Sequence, residues 1–144
     1  MFGWLAGVIL RRSIARVNAG DVGPMLSGYA EDAVLVFPGE NSWGGEHRGR
    51  AAIKTFLERF VRVGLQFEAH EVMVSGWPWR ATMCVVFSDH AKDAKGAIVY
   101  ENHGVIYCKT RWGKITFQED FEDTDRVAAF DKWLAIHEPE AVPA

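Results

Sequence analysis

The order of the periodic segments is the feature that most constrains the fold, because helical patterns come first and strand-like patterns follow in series. Four segments rich in β-branched and aromatic residues cover about Leu65 to Ser75, Trp79 to Asp89, Ala97 to Lys109 and Lys114 to Phe121. The breaks between them are short enough for hairpin connections, so an antiparallel meander is expected. Helices followed by strands are typical of the α+β class.

Two helices are predicted before the strands begin. The first covers Phe2 to Ala19, and the second covers Val22 to Glu31 with Pro24 in its first turn. A brief strand from Ala33 to Phe37 and a polar, glycine-rich loop over residues 39–49 should follow.

Two further helices are predicted on either side of the meander. One ends at Gly64 and is amphipathic, with apolar residues at helical spacing at Ile53, Phe56, Leu57, Phe60 and Val61. The other covers Thr124 to Ile136, with Thr124 as its N-cap. A curved antiparallel sheet with helices packed on its concave face would leave a cone-shaped cavity, where any function should lie.

Length and charge narrow the class of protein. The 144 residues suffice for one domain, residues 1–144, and the net charge of -3 without a long basic run argues against a nucleic-acid partner. No apolar stretch is long enough to span a membrane, so we expect a cytoplasmic protein without a membrane partner. Cys84 and Cys108 lack motif spacing and are interpreted as two buried thiols, and the five histidines show no metal-ligand spacing.

Short motifs along nearly the whole chain resemble the nuclear transport factor 2-like superfamily and, more narrowly, its SnoaL-like polyketide cyclase branch. The motifs are Asn18-Ala19-Gly20-Asp21, Tyr29 to Ala33, Pro38-Gly39, Gly49 to Ile53, Gly113-Lys114-Ile115 and Phe121 to Thr124. The resemblance implies a single SnoaL-like domain with a cystatin-like α+β barrel, a pocket for a hydrophobic small molecule, no cofactor, and a homodimer. Its motifs specify the fold better than the reaction.

Ketosteroid isomerase, a relative within this superfamily, uses an aspartate base and an oxyanion hole made by a tyrosine and a protonated aspartic acid. Aligned on the shared motifs, the base falls at Phe37, the tyrosine at Ser13 and the aspartic acid near Asn102. Phenylalanine cannot carry a proton, which rules out steroid isomerisation by that base. Asn102 can still donate a hydrogen bond.

Limonene epoxide hydrolase, another relative, resembles the chain most in its last strand, which places its catalytic aspartate at Asp120. Its arginine and second aspartate fall at about Val85 and Phe87, and its water-positioning residues at about Leu35 and Phe37. An Asp-Arg-Asp hydrolase is therefore disfavoured.

The orientation of the last strand is open to two interpretations. The hydrophobic pattern alone places Asp120 and Glu122 in water, whereas the family resemblance places Asp120 in the cavity. The second interpretation puts Ile115, Phe117 and Phe121 on an outer face that would dimerise. If Asp120 lies inside, burial and the nearby Glu122 carboxylate should raise its pKa, as acid–base catalysis requires.

The candidate catalytic residues are Asp120, Asn102 and Tyr100, because Tyr100 and Asn102 share the strand face that the resemblance turns inward. The candidate substrate-binding residues are Ser13, Phe37, Met83, Val85, Phe87, Gln118 and Glu122. Met83, Val85 and Phe87 fill the core equally well, and Ser13 would either bond its own helix backbone or face the cavity.

Two functional hypotheses remain open. The first is a cofactor-independent acid–base enzyme, a cyclase, isomerase or hydrolase of a hydrophobic ring or polyketide-like metabolite, with Asp120 as proton carrier. The second is a non-catalytic ligand-binding or dimerisation module, because the catalytic residues of two enzyme branches are missing.

Overall fold

Helices and strands follow one another much as the pattern predicts. The computed structural model describes residues 1–143. The helices are α1 (Phe2–Asn18), α2 (Gly23–Ser27), α3 (Arg50–Arg62) and α4 (Thr124–His137), followed by a short 3-10 helix (Pro139–Ala141). The strands are β1 (Tyr29–Phe37), β2 (Gly45–Arg48), β3 (Gln66–Trp77), β4 (Arg80–Lys92), β5 (Ile98–Arg111) and β6 (Lys114–Glu122).

All six strands form one curved, unclosed sheet in the order β2-β1-β6-β5-β4-β3. The predicted meander of β3 to β6 is confirmed, since each of these strands pairs antiparallel with the next. The sheet as a whole is mixed, however, because β1 runs parallel to β6 and antiparallel to β2. The long excursion through α3 and the meander supplies the crossover that a parallel pair needs.

The helices cover the inner face of the sheet. α1 packs along β3, α3 packs on β1 and β2, and α4 packs on β5. Gly7 of α1 lies next to β3, and a Cβ at this position would make an ordinary contact of 3.8 Å with Val72 Cβ. Ile53 and Leu134 are fully buried in the core that results, so the apolar helical faces are used as predicted.

Two predicted boundaries near the amino end are wrong. The second helix stops at Ser27, and residues 29–31 belong to β1 because the aromatic ring of Tyr29 is buried in the core at 2% exposure. The predicted loop over residues 39–49 contains β2, an edge strand whose polar side chains give no alternating pattern. Tertiary contacts decide both segments.

The last helix begins with a different cap from the one predicted. Asp123, not Thr124, is the N-cap, and its Oδ1 accepts hydrogen bonds from the backbone N of Asp125 at 3.0 Å and of Arg126 at 3.3 Å. A carboxylate at this position also favours the helix dipole.

Candidate active site

The inner face of the sheet carries both the apolar wall and the polar groups of the candidate site. Alternation along β4 turns Met83, Val85 and Phe87 inward, and they are 7%, 2% and 2% exposed. They face an inner cavity made of two adjoining spaces of about 90 and 40 Å³. Both spaces share Asp120 and a trio of aromatic rings, Phe56, Phe60 and Phe67.

Asp120 is buried in this cavity, as the resemblance and not the hydrophobic pattern predicts. Its side chain is 6% exposed, and its Oδ1 accepts a hydrogen bond of 2.8 Å from Nε2 of Gln118. The amide oxygen of Gln118 accepts in turn from the hydroxyl of Tyr29. Burial raises the pKa of Asp120 to about 7, while the Gln118 hydrogen bond opposes this rise and the nearby Glu119 adds to it.

A second polar group on the same face is Glu122, two residues beyond Asp120 on β6. Nδ2 of Asn102 donates to Oε2 of Glu122 at 3.0 Å, and the hydroxyl of Tyr100 donates to the same oxygen at 3.1 Å. Burial, with the charges of Asp89 and Asp120, raises the pKa of Glu122 to about 8, although the Tyr100 hydrogen bond opposes the rise. Tyr100 and Asn102 thus contact Glu122 rather than Asp120, the partner expected from the sequence.

Asp89 is the site residue that sequence reasoning missed. It pairs with Asn102 across β4 and β5, its side chain is 7% exposed, and its Oδ1 has no hydrogen-bond partner within residues 1–143. Burial, followed by the charge of Asp120, raises its pKa to about 7. The alternation of Met83, Val85 and Phe87 continues to Asp89, which the sequence predicts as the last residue of the strand and not as a site residue; β4 in fact continues to Lys92.

Gly104 makes room for the acidic cluster. It lies on β5 between Phe87 of β4 and Glu122 of β6. A Cβ at this position would collide with the carbonyl oxygen of Phe121 and lie 2.9 Å from Glu122 Cβ. The missing side chain lets the Glu122 carboxyl turn inward.

The alternation of side chains between the two faces of β6 is interrupted near the start of the strand. The register between β5 and β6 shifts between Lys109 and Thr110, which leaves Thr116 as an extra residue. Ile115 is therefore 8% exposed and lines the inner cavity, contrary to its expected place on the outer face. Phe121 is 50% exposed on that outer face, as expected.

The remaining predicted binding residues divide between two places. Phe37 lines the smaller inner space, and Gln118 lines the larger one. Ser13 instead lies in an outer groove of about 310 Å³ between α1, α2 and the β5–β6 hairpin, where its hydroxyl makes no hydrogen bond within residues 1–143. The groove and the inner cavity share the walls Leu10, Met25, Met83 and Ile115.

A largely buried ionic cluster fixes the loop before β2 against α3 and α4. Arg59 donates to the carbonyl oxygen of Ser42 at 3.0 Å and stacks 3.8 Å above the ring of Trp43. Asp131 accepts from the backbone N of Ser42 at 2.7 Å and from Nε1 of Trp43 at 3.1 Å. Trp43, which is 4% exposed, is therefore a fixed wall of the cavity.

The structure also bears on three features considered in the sequence: metal-ligand groups, the two cysteines and membrane-spanning helices. Within the described residues, 1–143, no group of three or more His, Cys, Asp or Glu side chains is placed to hold a metal ion. Neither cysteine forms a disulfide; Cys108 is buried as expected, whereas Cys84 is only partly buried. None of the helices in this part of the chain has the length and apolar character needed to cross a membrane.

The curved, unclosed sheet with helices over its inner face encloses an apolar cavity into which a few carboxyl groups point, and the chain is of the nuclear transport factor 2-like class. The SnoaL-like domain family model matches residues 10–118, and the chain belongs to this family. No curated protein gives a significant match to the sequence.

Solved structures support the same fold. An NTF2-like protein from Burkholderia xenovorans LB400 is 23% identical, with a TM-score of 0.61 over 88% of this chain and 95% of its own. TerC, co-crystallised with polyporic acid, is 26% identical, with a TM-score of 0.64 over 92% and 95% of the two chains. The epoxide hydrolase/cyclase-like enzyme SalBIII is 17% identical, with a TM-score of 0.68 over 85% and 94%.

Proposed function

We propose that the protein is a cofactor-independent acid–base enzyme, a cyclase, isomerase or hydrolase, that acts on a hydrophobic ring or polyketide-like metabolite. The observation that carries the proposal is a set of three carboxyl groups, the buried Asp89 and Asp120 and the half-buried Glu122, which face one apolar cavity with pKa values raised to about 7 to 8. Groups with such values hold and release protons near neutral pH, as general acids and bases must.

Asp120 is the proposed proton carrier. Its Oδ1 is held by Gln118, which leaves Oδ2 to accept a proton from a carbon acid of the substrate. The Gln118 amide in turn is fixed by Tyr29, so the carboxyl group is held in one orientation. A fixed carboxylate in an apolar cavity is a stronger base than one in water.

Asp89 and Glu122 are the proposed proton donors. The three carboxyl groups repel one another when ionised, so they share protons at neutral pH, and at least one is neutral while another is charged. The neutral group can protonate the developing enolate or leaving oxygen. Tyr100 and Asn102 are positioning residues in this scheme, because they hold Oε2 of Glu122.

A carbon-acid probe tests the proposal without knowledge of the natural substrate. We expect wild-type protein in D2O to accelerate deuterium incorporation next to the carbonyl of 2-tetralone, measured by mass spectrometry, and Asp120→Asn to remove the acceleration. Glu101→Gln is the matched control, since this exposed side chain lies on the outer face of β5, opposite to Tyr100 and Asn102. Equal rates for wild type and Asp120→Asn would refute the role of Asp120.

The alternative is a non-catalytic ligand-binding module, and the almost wholly apolar lining of the larger inner space favours it. In that case hydrophobic ring compounds raise the melting temperature of the protein. No product or deuterium exchange should accompany this shift. Deuterium exchange that depends on Asp120 would support the enzyme and contradict the non-catalytic module.

Dimerisation through the outer face of the sheet is also part of the proposal. Met73, Val105 and Phe121 are 49%, 37% and 50% exposed on that face, and their burial against a second copy would remove apolar surface from water. Light scattering should give twice the chain mass for wild type, and Phe121→Glu should lower it. A monomeric wild type would contradict this part.

A further inference from the structure

One end of the molecule carries a cluster of exposed tryptophans that the core does not need. Trp77 ends β3 and Trp79 lies in the β3–β4 turn, and their rings stack with centroids 5.6 Å apart. Trp112 of the β5–β6 turn lies 6.4 Å from Trp79. These three side chains are 65%, 50% and 71% exposed. We call them the tryptophan cluster.

Trp112 occupies a position that favours another residue. Its φ of +51° is in the left-handed region, and Gly113 follows with a φ of +77°. Two consecutive positive φ values are typical of a type I′ hairpin turn, in which Asn-Gly is preferred and a bulky side chain is unfavourable. Folding therefore does not explain the indole at this turn.

The amino-terminal helix extends the same apolar surface. Trp4, Leu5 and Ile9 are 74%, 50% and 55% exposed on the outer side of α1. The helix reaches this end of the sheet, because a Cβ at Gly3 would lie 3.5 Å from Val74 Cβ, three residues before Trp77. The outer groove joins the two parts, with Leu5 on one wall and Lys114 on the other.

Charge is distributed unevenly between this end and the rest of the chain. Segments 72–88 and 102–118, whose turns form this end, contain none of the 19 acidic residues and four of the 16 Lys and Arg residues. These four, Arg80, Lys109, Arg111 and Lys114, are in no salt bridge within residues 1–143.

Three of these cations lie side by side next to the tryptophans. Arg111 pairs with Lys114 across β5 and β6, and Arg80 lies one residue beyond the pair of Ala81 and Thr110. All three cations are exposed. A protein with a net charge of -3 thus has one end that is entirely basic and tryptophan-rich.

We propose that this end docks peripherally on an anionic phospholipid surface, with the tryptophan cluster and the outer side of α1 at the headgroup level. Tryptophan prefers the membrane–water interface, and apolar helix faces flanked by basic residues lie in the interface plane. The expectation of no membrane partner rested on the lack of a spanning segment, which does not bear on surface docking. A second copy of the chain is disfavoured, because it would bring two basic ends together.

Vesicle co-sedimentation tests the proposal. Wild-type protein should bind phosphatidylcholine vesicles that contain phosphatidylglycerol, with a blue shift of tryptophan emission, and should bind pure phosphatidylcholine much more weakly. High salt should weaken the binding. Arg80→Glu with Arg111→Glu should reduce partitioning by at least about tenfold, whereas Lys92→Glu with Lys95→Glu, at the β4–β5 turn, should leave it unchanged.

Trp112→Asn separates docking from folding. Asparagine suits the turn better than tryptophan, so this variant should be at least as stable as wild type yet lose most vesicle binding. Ile136→Ser, at an exposed apolar residue of α4, is the matched control and should bind normally. No binding to anionic vesicles, equal binding to neutral ones, or a dimer dissociated by Trp112→Asn without vesicle binding would overturn the proposal.

Discussion

The carboxyl groups of Asp89 and Asp120 face one buried cavity from β4 and β6, and the charge of Asp120 helps to raise the pKa of Asp89 to about 7. β5 lies between these two strands in the sheet, so the two carboxyl groups meet across a third strand. Each is 6% to 7% exposed, and water therefore screens their repulsion poorly. The proposed chemistry requires that this pair share protons near neutral pH.

The stability of the protein should fall as pH rises through neutrality. A carboxyl group with a raised pKa in the folded state binds more protons there than in the unfolded chain, between an unfolded pKa of about 4 and the folded values. Those folded values are about 7 to 8 for Asp89, Asp120 and Glu122. Thermal denaturation should give a higher Tm at pH 5 than at pH 8.5, and the free energy of unfolding should differ by on the order of a few kcal/mol between the two pH values.

Asp89→Asn should reduce this pH dependence. The variant removes one buried charge and lowers the repulsion on the remaining two, so its stability at pH 8.5 should exceed that of wild type. Asp93→Asn, at the β4–β5 turn, is a control from the same part of the chain. A pH dependence that Asp89→Asn leaves unchanged would show that Asp89 is not among the groups that titrate.

Gly104→Ala should destabilise the protein by about 2 to 4 kcal/mol, because the added methyl collides with backbone rather than with a flexible side chain. Urea denaturation measures the loss. Gly3→Ala is the contrasting substitution, since its methyl would make an ordinary 3.5 Å contact and alanine favours the helix. Equal stability of Gly104→Ala and wild type would mean that the strands are not in the described register.

Asp131→Ala should cost about 3 to 5 kcal/mol, because it leaves the largely buried Arg59 cation without its partner carboxylate. The indole and backbone N–H groups of Trp43 and Ser42 lose acceptors as well. Glu58→Gln breaks the exposed Lys54 pair and should cost less than about 0.5 kcal/mol. Similar losses for both variants would contradict the described cluster.

The sequence predicts the class of fold and the meander because long alternating strands and one strongly amphipathic helix carry clear periodicity. The inward position of Met83, Val85 and Phe87 on β4 is implied by the family resemblance, and all three are buried there. Their roles in substrate binding remain predictions, as do those of Ser13 and Phe37.

Local signals fail where long-range pairing decides the structure. Ile115 is turned inward by the bulge at Thr116, and nothing in the residues themselves marks that extra position. β2 exists because β1 offers it an edge, and β1 pairs parallel to β6 across most of the chain. The inward position of Asp120 required the family resemblance, because the hydrophobic pattern of β6 alone predicts the reverse.

A pH titration of the side-chain carboxyl carbons by 13C NMR, with Asp120→Asn and Asp89→Asn used for assignment, measures the protonation of the three groups themselves. The resonances of Asp89, Asp120 and Glu122 should titrate between about pH 6 and 9, well above ordinary values. Titration of all three below about pH 5 would contradict the proposed acid–base chemistry, since the cavity would then hold only carboxylates at neutral pH.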